Sequence, residues 1–370
     1  MSDKGKQIGE TGAAITASGL EGVVVAETRL SHVDGEHGRL VIAGHDVEEL
    51  AGAVQFEDVL PLLETGALPD PARREDVRAA LGAARVTAFD RLPRLGDALG
   101  APDGMDALRA AAAHLTPGGD AAVVGALPVF AAAWARRRAG AAPVAPDPGA
   151  THAADFLRMV TGQEPAAAQV RGLDTYMVTV SDHGLNASTF AARVVASTGS
   201  DLVSAVVAAI GALKGPLHGG APGPVLDMLD AIGAPERAAA WLEAELAAGR
   251  RIMGMGHRIY RVRDPRAAVL ERAVEALGRA GVGGPPLALA RSVERAAEAL
   301  LARRHPDRPL RANVEFYTAV LLEAVGMPRE LFAPTFACAR VAGWCAHVAE
   351  QRAAGRLIRP SSRYVGAWPA

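Results

Sequence analysis

Three short segments carry most of the chemistry this chain can offer. Leu217-His218-Gly219-Gly220 and Gly254-Met255-Gly256-His257 each present a histidine beside glycine, and Asn313-Val314-Glu315-Phe316-Tyr317 sets a carboxylate at the start of a helix. Two histidines and a carboxylate, each at the edge of a regular element, are what removal of a weakly acidic proton requires: one base and two hydrogen-bonding partners. Singly, each signal is weak. A lone histidine is equally well a core residue donating to a backbone carbonyl. Glu315 alone reads as an acid in a first helical turn, where unpaired N–H groups favour the ionised form by ~0.3–1 kcal/mol. The flanking glycines, with Gly215-Pro216 ahead of His218, raise the value of both histidines, because backbone without side chains admits a ligand closely.

Two arginines add to the pattern. Arg266 lies in Asp264-Pro265-Arg266, and Arg340 is surrounded by Phe336, Ala337, Ala339, Ala342 and Trp344. A guanidinium in such apolar company is expected to have a carboxylate partner. Gly254-Met255-Gly256 is no dinucleotide fingerprint, since the third glycine is missing and no strand leads into it. No Walker A, zinc-protease or Cys-x-x-Cys spacing occurs, and no two histidines or cysteines share helical ligand spacing, so no metal is expected.

The elements that must hold these residues are mainly helical. Residues 20–50 alternate apolar runs with turns: Gly22–Ala26, Val33-Asp34-Gly35 and Leu40–Gly44, with Asp34-Gly35 as the turn of a small N-terminal β-hairpin. Beyond it helices dominate. Leu202, Val203, Val206, Val207, Ile210 and Leu213 form one apolar stripe, with Thr198 and Asp201 expected as a capping box. Asn313 is the expected N-cap of the helix carrying Glu315, which Gly326 and Pro328 end. A last helix is expected from Pro334 to Ala354. Gly140–Gly149 and Gly281–Pro286 read as loops, and no repeat or heptad array is present.

At 370 residues and 50% hydrophobic content the chain can bury the cores of two domains. A formal charge of −2 gives no bulk attraction to nucleic acid or an anionic membrane. Cys338 and Cys345, about 10 Å apart along one helix at ~1.5 Å per residue, cannot pair with each other, so a reduced compartment is expected. Met1–Gly12 has no apolar h-region, and Leu202–Leu213 is short of the ~20 residues that span a bilayer. A soluble cytoplasmic protein is expected.

In combination these motifs have a precedent. Gly19-Leu20-Glu21-Gly22-Val23 with Glu27-Thr28 and Asp34-Gly35-Glu36, Ser181-Asp182-His183-Gly184-Leu185-Asn186-Ala187-Ser188-Thr189, Gly211–Ala221, Gly256-His257-Arg258-Ile259-Tyr260 with Asp264-Pro265-Arg266, and the closing Gly343-Trp344 to Arg359-Pro360 resemble the citrate synthase family, in its shorter bacterial and archaeal form. The resemblance covers nearly the whole chain in order and is weakest over residues 75–150. It implies a mainly α, two-domain fold: a large domain from residues 1–220 and 320–370, and a small domain from 221–319, with the active site in the cleft of a homodimer. The short stretch ahead of Gly19 favours the dimer over the hexameric, NADH-inhibited form.

Residue by residue, the resemblance gives His218 the thioester oxygen, Glu315 the acyl proton, and His257 the ketone of oxaloacetate. His183, Arg266 and Arg340 would hold the oxaloacetate carboxylates, and Arg359 would come from the other subunit. Arg261 and the Met253, Gly254, Met255 and Gly256 backbone would contact coenzyme A, a co-substrate rather than a bound cofactor. The implied reaction joins acetyl-CoA to oxaloacetate and hydrolyses citryl-CoA. The alternatives are a 2-methylcitrate synthase using propionyl-CoA, and a non-catalytic paralogue that binds oxaloacetate or coenzyme A. Two positions depart from the family pattern: Glu315 stands where an aspartate is usual, with a compensating shift of the helix start expected, and Ala221-Pro222-Gly223-Pro224 replaces a more polar segment, stiffening the turn after His218.

Overall fold

A computed structural model of the chain describes residues 18–20, 22–219, 223–257, 259–283, 287–307 and 310–369. The expectations attached to Met1–Gly12, Glu21, Gly220, Ala221, Pro222, Arg258 and Gly284–Pro286 lie outside these residues. The small sheet comes first. Strands β1 (Ser31–Asp34), β2 (Arg39–Ile42) and β3 (His45–Asp46) pair antiparallel in that order, with Ser31 opposite Ile42 and Asp34 opposite Arg39. Asp34 makes the turn as expected: its Oδ1 accepts from the N–H groups of Glu36 and His37 at 3.1 and 3.0 Å, the short-range bond that favours Asp there. The third strand is additional, and the Gly22–Ala26 run lies outside the sheet.

Fifteen helices follow among the described residues. The first seven are α1 (Val47–Leu50), α2 (Phe56–Thr65), α3 (Pro71–Arg91), α4 (Gly104–Ala112), α5 (Asp120–Arg138), α6 (His152–Thr161) and α7 (Ala167–Val180). Next come α8 (Ala187–Ser197), α9 (Leu202–Leu213), α10 (Gly223–Ile232), α11 (Ala238–Ala247) and α12 (Pro265–Arg279). The last are α13 (Leu287–Arg304), α14 (Val314–Ala324) and α15 (Phe332–Ala354). The fold is mainly α, as the sequence implies.

Helix α15 is the hub. It packs on α5, α7, α8 and α9, and buries residues on every side, from Phe332 and Pro334 to Trp344 and Val348. A helix apolar all round has to lie inside. Helix α5 is similar, buried continuously from Val123 to Ala135, and its alanines let neighbours approach closely. Helix α12 packs on both α7 and α14, while α11 pairs with α13. The boundary expected at residue 319 falls inside the single helix α14.

The caps follow the side-chain chemistry closely. Asn313 caps α14 by accepting from the Glu315 N–H at 3.0 Å. Asp201 alone caps α9, accepting from Ser204 N–H. Thr198 does not join it in a capping box: it closes α8, with its hydroxyl on the Val195 carbonyl at 2.7 Å. Both cysteines are free and buried in α15.

Candidate active site

One cleft of about 800 Å³ gathers the key residues. The N-terminus of α8, the turn after α9, the loop before α12, the first turn of α14 and the middle of α15 meet there. His183, His218, Gly256, His257, Arg266, Glu315 and Arg340 line it together, and Gly22, Val23 and Val25 border it from the N-terminal segment. His183 and Arg340, 157 positions apart in sequence, share this wall because α15 carries Arg340 back across the fold.

The two histidines are held as neutral donors. The Ser188 N–H donates to His218 Nε2 at 3.2 Å. That nitrogen therefore carries the lone pair, and the network assigns the ring proton to Nδ1. For His257 the order is reversed. The N–H groups of Ile259 and Tyr260 both donate to Nδ1 at 3.1 Å, and these two bonds outweigh the longer 3.4 Å approach of Arg266 Nη2 to Nε2, so the network assigns the proton to Nε2. Burial brings both rings down to about 4, reinforced by Arg340 for His218 and by Arg266 for His257. Each ring is thus neutral at pH 7 with one N–H left over. Gly219 and Gly256 both line the cleft. Gly219 is also needed for packing: a Cβ on it would lie 2.3 Å from the Leu213 carbonyl, so its bareness lets the turn press on the end of α9.

The cations differ in how they are satisfied. Arg266, 3% exposed, is forked onto Asp264, with Nε to Oδ1 at 3.0 Å and Nη2 to Oδ2 at 2.7 Å. Asp264 also accepts from the Val314 N–H at 3.1 Å, tying this arginine to the start of α14. Arg340, 1% exposed, lacks the carboxylate partner expected for it. Its Nε donates to the Val180 carbonyl, its guanidinium lies 4.8 Å over the Phe336 ring, and its Nη2 has no hydrogen-bond partner among the described residues. Burial pulls it down to about 10, which leaves it charged at neutral pH. A buried, charged donor without a partner is costly. His183 lies beside it, edge-on to His257 with ring centres 5.8 Å apart, and neutral because burial and Arg266 hold it far below the usual range.

Glu315 sits in the first turn of α14, and no hydrogen bond reaches its carboxylate among the described residues. Burial raises its pKa above that of an ordinary glutamate, with Arg266 opposing. The helix terminus was expected to favour ionisation; desolvation outweighs it, because a carboxylate shielded from water loses more than one helix end returns. A raised pKa makes a stronger base.

Other expected residues lie elsewhere. Arg359 is exposed on the C-terminal segment and does not reach this cleft. Arg261 is exposed, its N–H on the Gly35 carbonyl at 2.8 Å. Of Met253–Gly256, only Gly256 lines the cleft; Met255 bridges Ala312, and the Gly254 carbonyl accepts from Asn313 N–H, which fixes the start of α14. Sequence reasoning missed Tyr260, which is 2% exposed, 3.2 Å from His183 Nε2 through its hydroxyl, and 4.7 Å from the His257 ring. It also missed Ser188 and Asp264. Their adjacency to the recognised motifs was the available signal.

A helical fold whose cleft gathers two neutral histidines, a buried carboxylate and two guanidinium groups suits an acyltransferase of the carbon–carbon condensing kind. The family model described as "Citrate synthase, C-terminal domain" matches residues 19–361. Citrate synthase of Haloferax volcanii is 40% identical over 94% of this chain and 95% of its own. A 2-methylcitrate synthase of Mycobacterium tuberculosis is 39% identical over 94% and 90%. Among solved structures, citrate synthase of Pyrobaculum aerophilum has a TM-score of 0.85 at 33% identity, covering 100% of this chain and 98% of its own. That of Thermoplasma acidophilum, a ternary complex with carboxymethyl coenzyme A and oxaloacetate, has a TM-score of 0.82 at 29% identity over 96% and 97%. The chain belongs to the citrate synthase family.

Proposed function

We propose that this enzyme condenses acetyl-CoA with oxaloacetate and then hydrolyses citryl-CoA to citrate and coenzyme A. The observation that carries this reading is Arg340, a buried cation in the cleft with an unpartnered Nη2. Oxaloacetate, a dicarboxylate, supplies the missing anion, and Arg266 and His183 complete its binding. Glu315 removes a methyl proton from the thioester while His218 Nδ1–H donates to the developing enol oxygen. Without that preorganised donor the α-proton is too weakly acidic for a carboxylate to take. His257 Nε2–H donates to the ketone oxygen and hands over its proton as the new carbon–carbon bond forms. The Thermoplasma relative, solved with oxaloacetate and a coenzyme A analogue, supports this substrate pair.

The remaining assignments belong to the same reading. Arg261 and the Met253–Gly256 backbone contact coenzyme A, and the protein works as a cytoplasmic homodimer in which Arg359 serves the neighbouring site. The segment from residue 221 to 319 forms a lobe that closes on the substrates and excludes water. Among the described residues no helix is long and apolar enough to cross a membrane, and no three His, Cys, Asp or Glu side chains are placed to hold a metal. Propionyl-CoA is the second reading, favoured by the 39% identical 2-methylcitrate synthase. Discriminating one methylene is worth only ~1–3 kcal/mol.

The test is thiol release from acetyl-CoA and from propionyl-CoA, each with and without oxaloacetate. Oxaloacetate-dependent release is expected, and the ratio of the two rates decides the acyl group. A folded protein that releases thiol from neither would overturn the reading in favour of a binding paralogue.

A further inference from the structure

The turn that carries His183 is gripped from behind on both flanks. Asp182, fully buried, accepts a hydrogen bond from Ser31 Oγ on β1 and lies 3.2 Å from His347 Nε2 on α15. The N–H of Gly184 donates to the same Ser31 Oγ at 2.7 Å. One hydroxyl therefore donates to the residue before His183 and accepts from the residue after it.

The direction of the remaining bonds follows from donor chemistry. Arg193 Nη1 is 2.9 Å from His347 Nδ1, and a guanidinium can only donate. Nδ1 is thus the acceptor, and the ring proton lies on Nε2, facing Asp182. Arg193 is itself fixed, by Glu350 at 2.6 Å and Gln351 at 3.0 Å. Two donor chains, Arg193 through His347 and the Gly184 N–H through Ser31, converge on the Asp182 carboxylate. Burial pushes Asp182 up, yet His347, Arg340 and Ser31 together hold it below the usual carboxylate range, so it stays ionised.

Neither Ser31, Asp182 nor His347 lines the cleft, so their polar groups are not aimed at a ligand. What they share is the peptide on either side of His183. We propose that Ser31 and His347 are positioning residues that, through Asp182 and Gly184, fix the orientation of His183 and thereby set the affinity for the 2-oxo dicarboxylate without touching it. This rests on the reading of His183 as an oxaloacetate ligand. It makes a strand far from the chemistry in sequence part of the substrate-binding apparatus.

The experiment is calorimetric titration of oxaloacetate into the full-length enzyme, with steady-state kinetics on the same samples, for Ser31→Ala, Ser31→Thr, His347→Ala and His347→Gln. Ser31→Ala should weaken oxaloacetate binding and raise its KM about tenfold, with kcat and the KM for acetyl-CoA nearly unchanged. Ser31→Thr keeps the hydroxyl and should restore affinity. His347→Gln, whose amide can still donate, should lose less than His347→Ala. If Ser31→Ala does not fold, Ser31→Cys carries the test, with the same split at smaller size. A folded Ala or Cys variant with wild-type oxaloacetate affinity overturns the proposal. So does a uniform loss in every parameter that Thr fails to rescue, since that marks a merely structural role. Failure of the wild type to bind oxaloacetate overturns the oxaloacetate reading and this proposal with it.

Discussion

At Glu315 two effects oppose each other, and their balance sets the chemistry. The helix terminus favours the ion, burial disfavours it, and burial prevails. The acidic limb of the kcat/KM profile should therefore lie above 4.5, the ordinary value for glutamate, with activity rising as pH carries Glu315 from acid to carboxylate. His218 and His257, at about 4, stay neutral across that range and add no second limb there. Glu315→Gln should lower kcat by roughly 10²–10⁴-fold and abolish the limb, as read from pH-dependent thiol release. Glu315→Asp withdraws the carboxylate by about one methylene, and a misplacement of ~1 Å should cost ~10²-fold. A large gain for the aspartate variant would mean that the native site is vestigial.

At the scale of elements, α14 and α15 do most of the positioning. Asn313 both caps α14 and donates from Nδ2 to the Gly256 carbonyl at 2.9 Å, so it joins the Glu315 helix to the His257 loop. Asn313→Ala should destabilise the protein by about 1 kcal/mol in thermal unfolding and lower kcat as well, because both sides of the site lose their common tie. Gly343 is where α15 meets the His183 turn. An added Cβ would lie 2.3 Å from the Ser181 carbonyl and 2.7 Å from Asp182 Oδ1. Gly343→Ala must push that turn away, with an expected loss of about 1–3 kcal/mol and a raised KM for oxaloacetate. An unchanged KM would show that the turn can slide without moving His183.

For the molecule as a whole, ionisation and assembly give separate tests. Asp174, on α7, is raised to about 7 by burial and then by Glu57, while the Phe56 N–H donates to its Oδ1 at 2.9 Å. Its folded pKa exceeds its unfolded one, so the protonated form is favoured by folding. That stability is fully present below the unfolded value near 3.8 and is lost as pH rises through about 7. Asp174→Asn keeps the acceptor and removes the charge. It should stabilise the protein at pH 8 by on the order of 1–2 kcal/mol, discounted for partial exposure, and hardly at all at pH 4. Thermal unfolding at the two pH values decides this. Delivery of Arg359 to the neighbouring site is tested by mixing Glu315→Gln and Arg359→Ala subunits. Each is inactive alone, but a random mixture of dimers should recover about a quarter of wild-type activity through the one intact site of each heterodimer. No recovery would place Arg359 within its own subunit's site, and an Arg359→Ala homodimer that is active by itself would place it outside the chemistry.

The sequence by itself determined what is local. Apolar periodicity, the Asn313 and Asp201 caps, and the Asp34 turn were legible because each depends on residues within one or two turns. Of the eight side chains the family motifs named, six come together in the cleft, His183, His218, His257, Arg266, Glu315 and Arg340, while Arg359 and Arg261 do not line it. Tertiary structure alone decided the rest. Only the fold shows that Arg340 is buried without a carboxylate, that Glu315 is desolvated enough to outweigh its helix end, and that the two histidines present opposite ring nitrogens. Those properties come from groups such as Ser188, Tyr260 and Val180 converging from separate helices and loops. Desolvation and hydrogen-bond direction depend on that convergence, and no spacing along one chain encodes it.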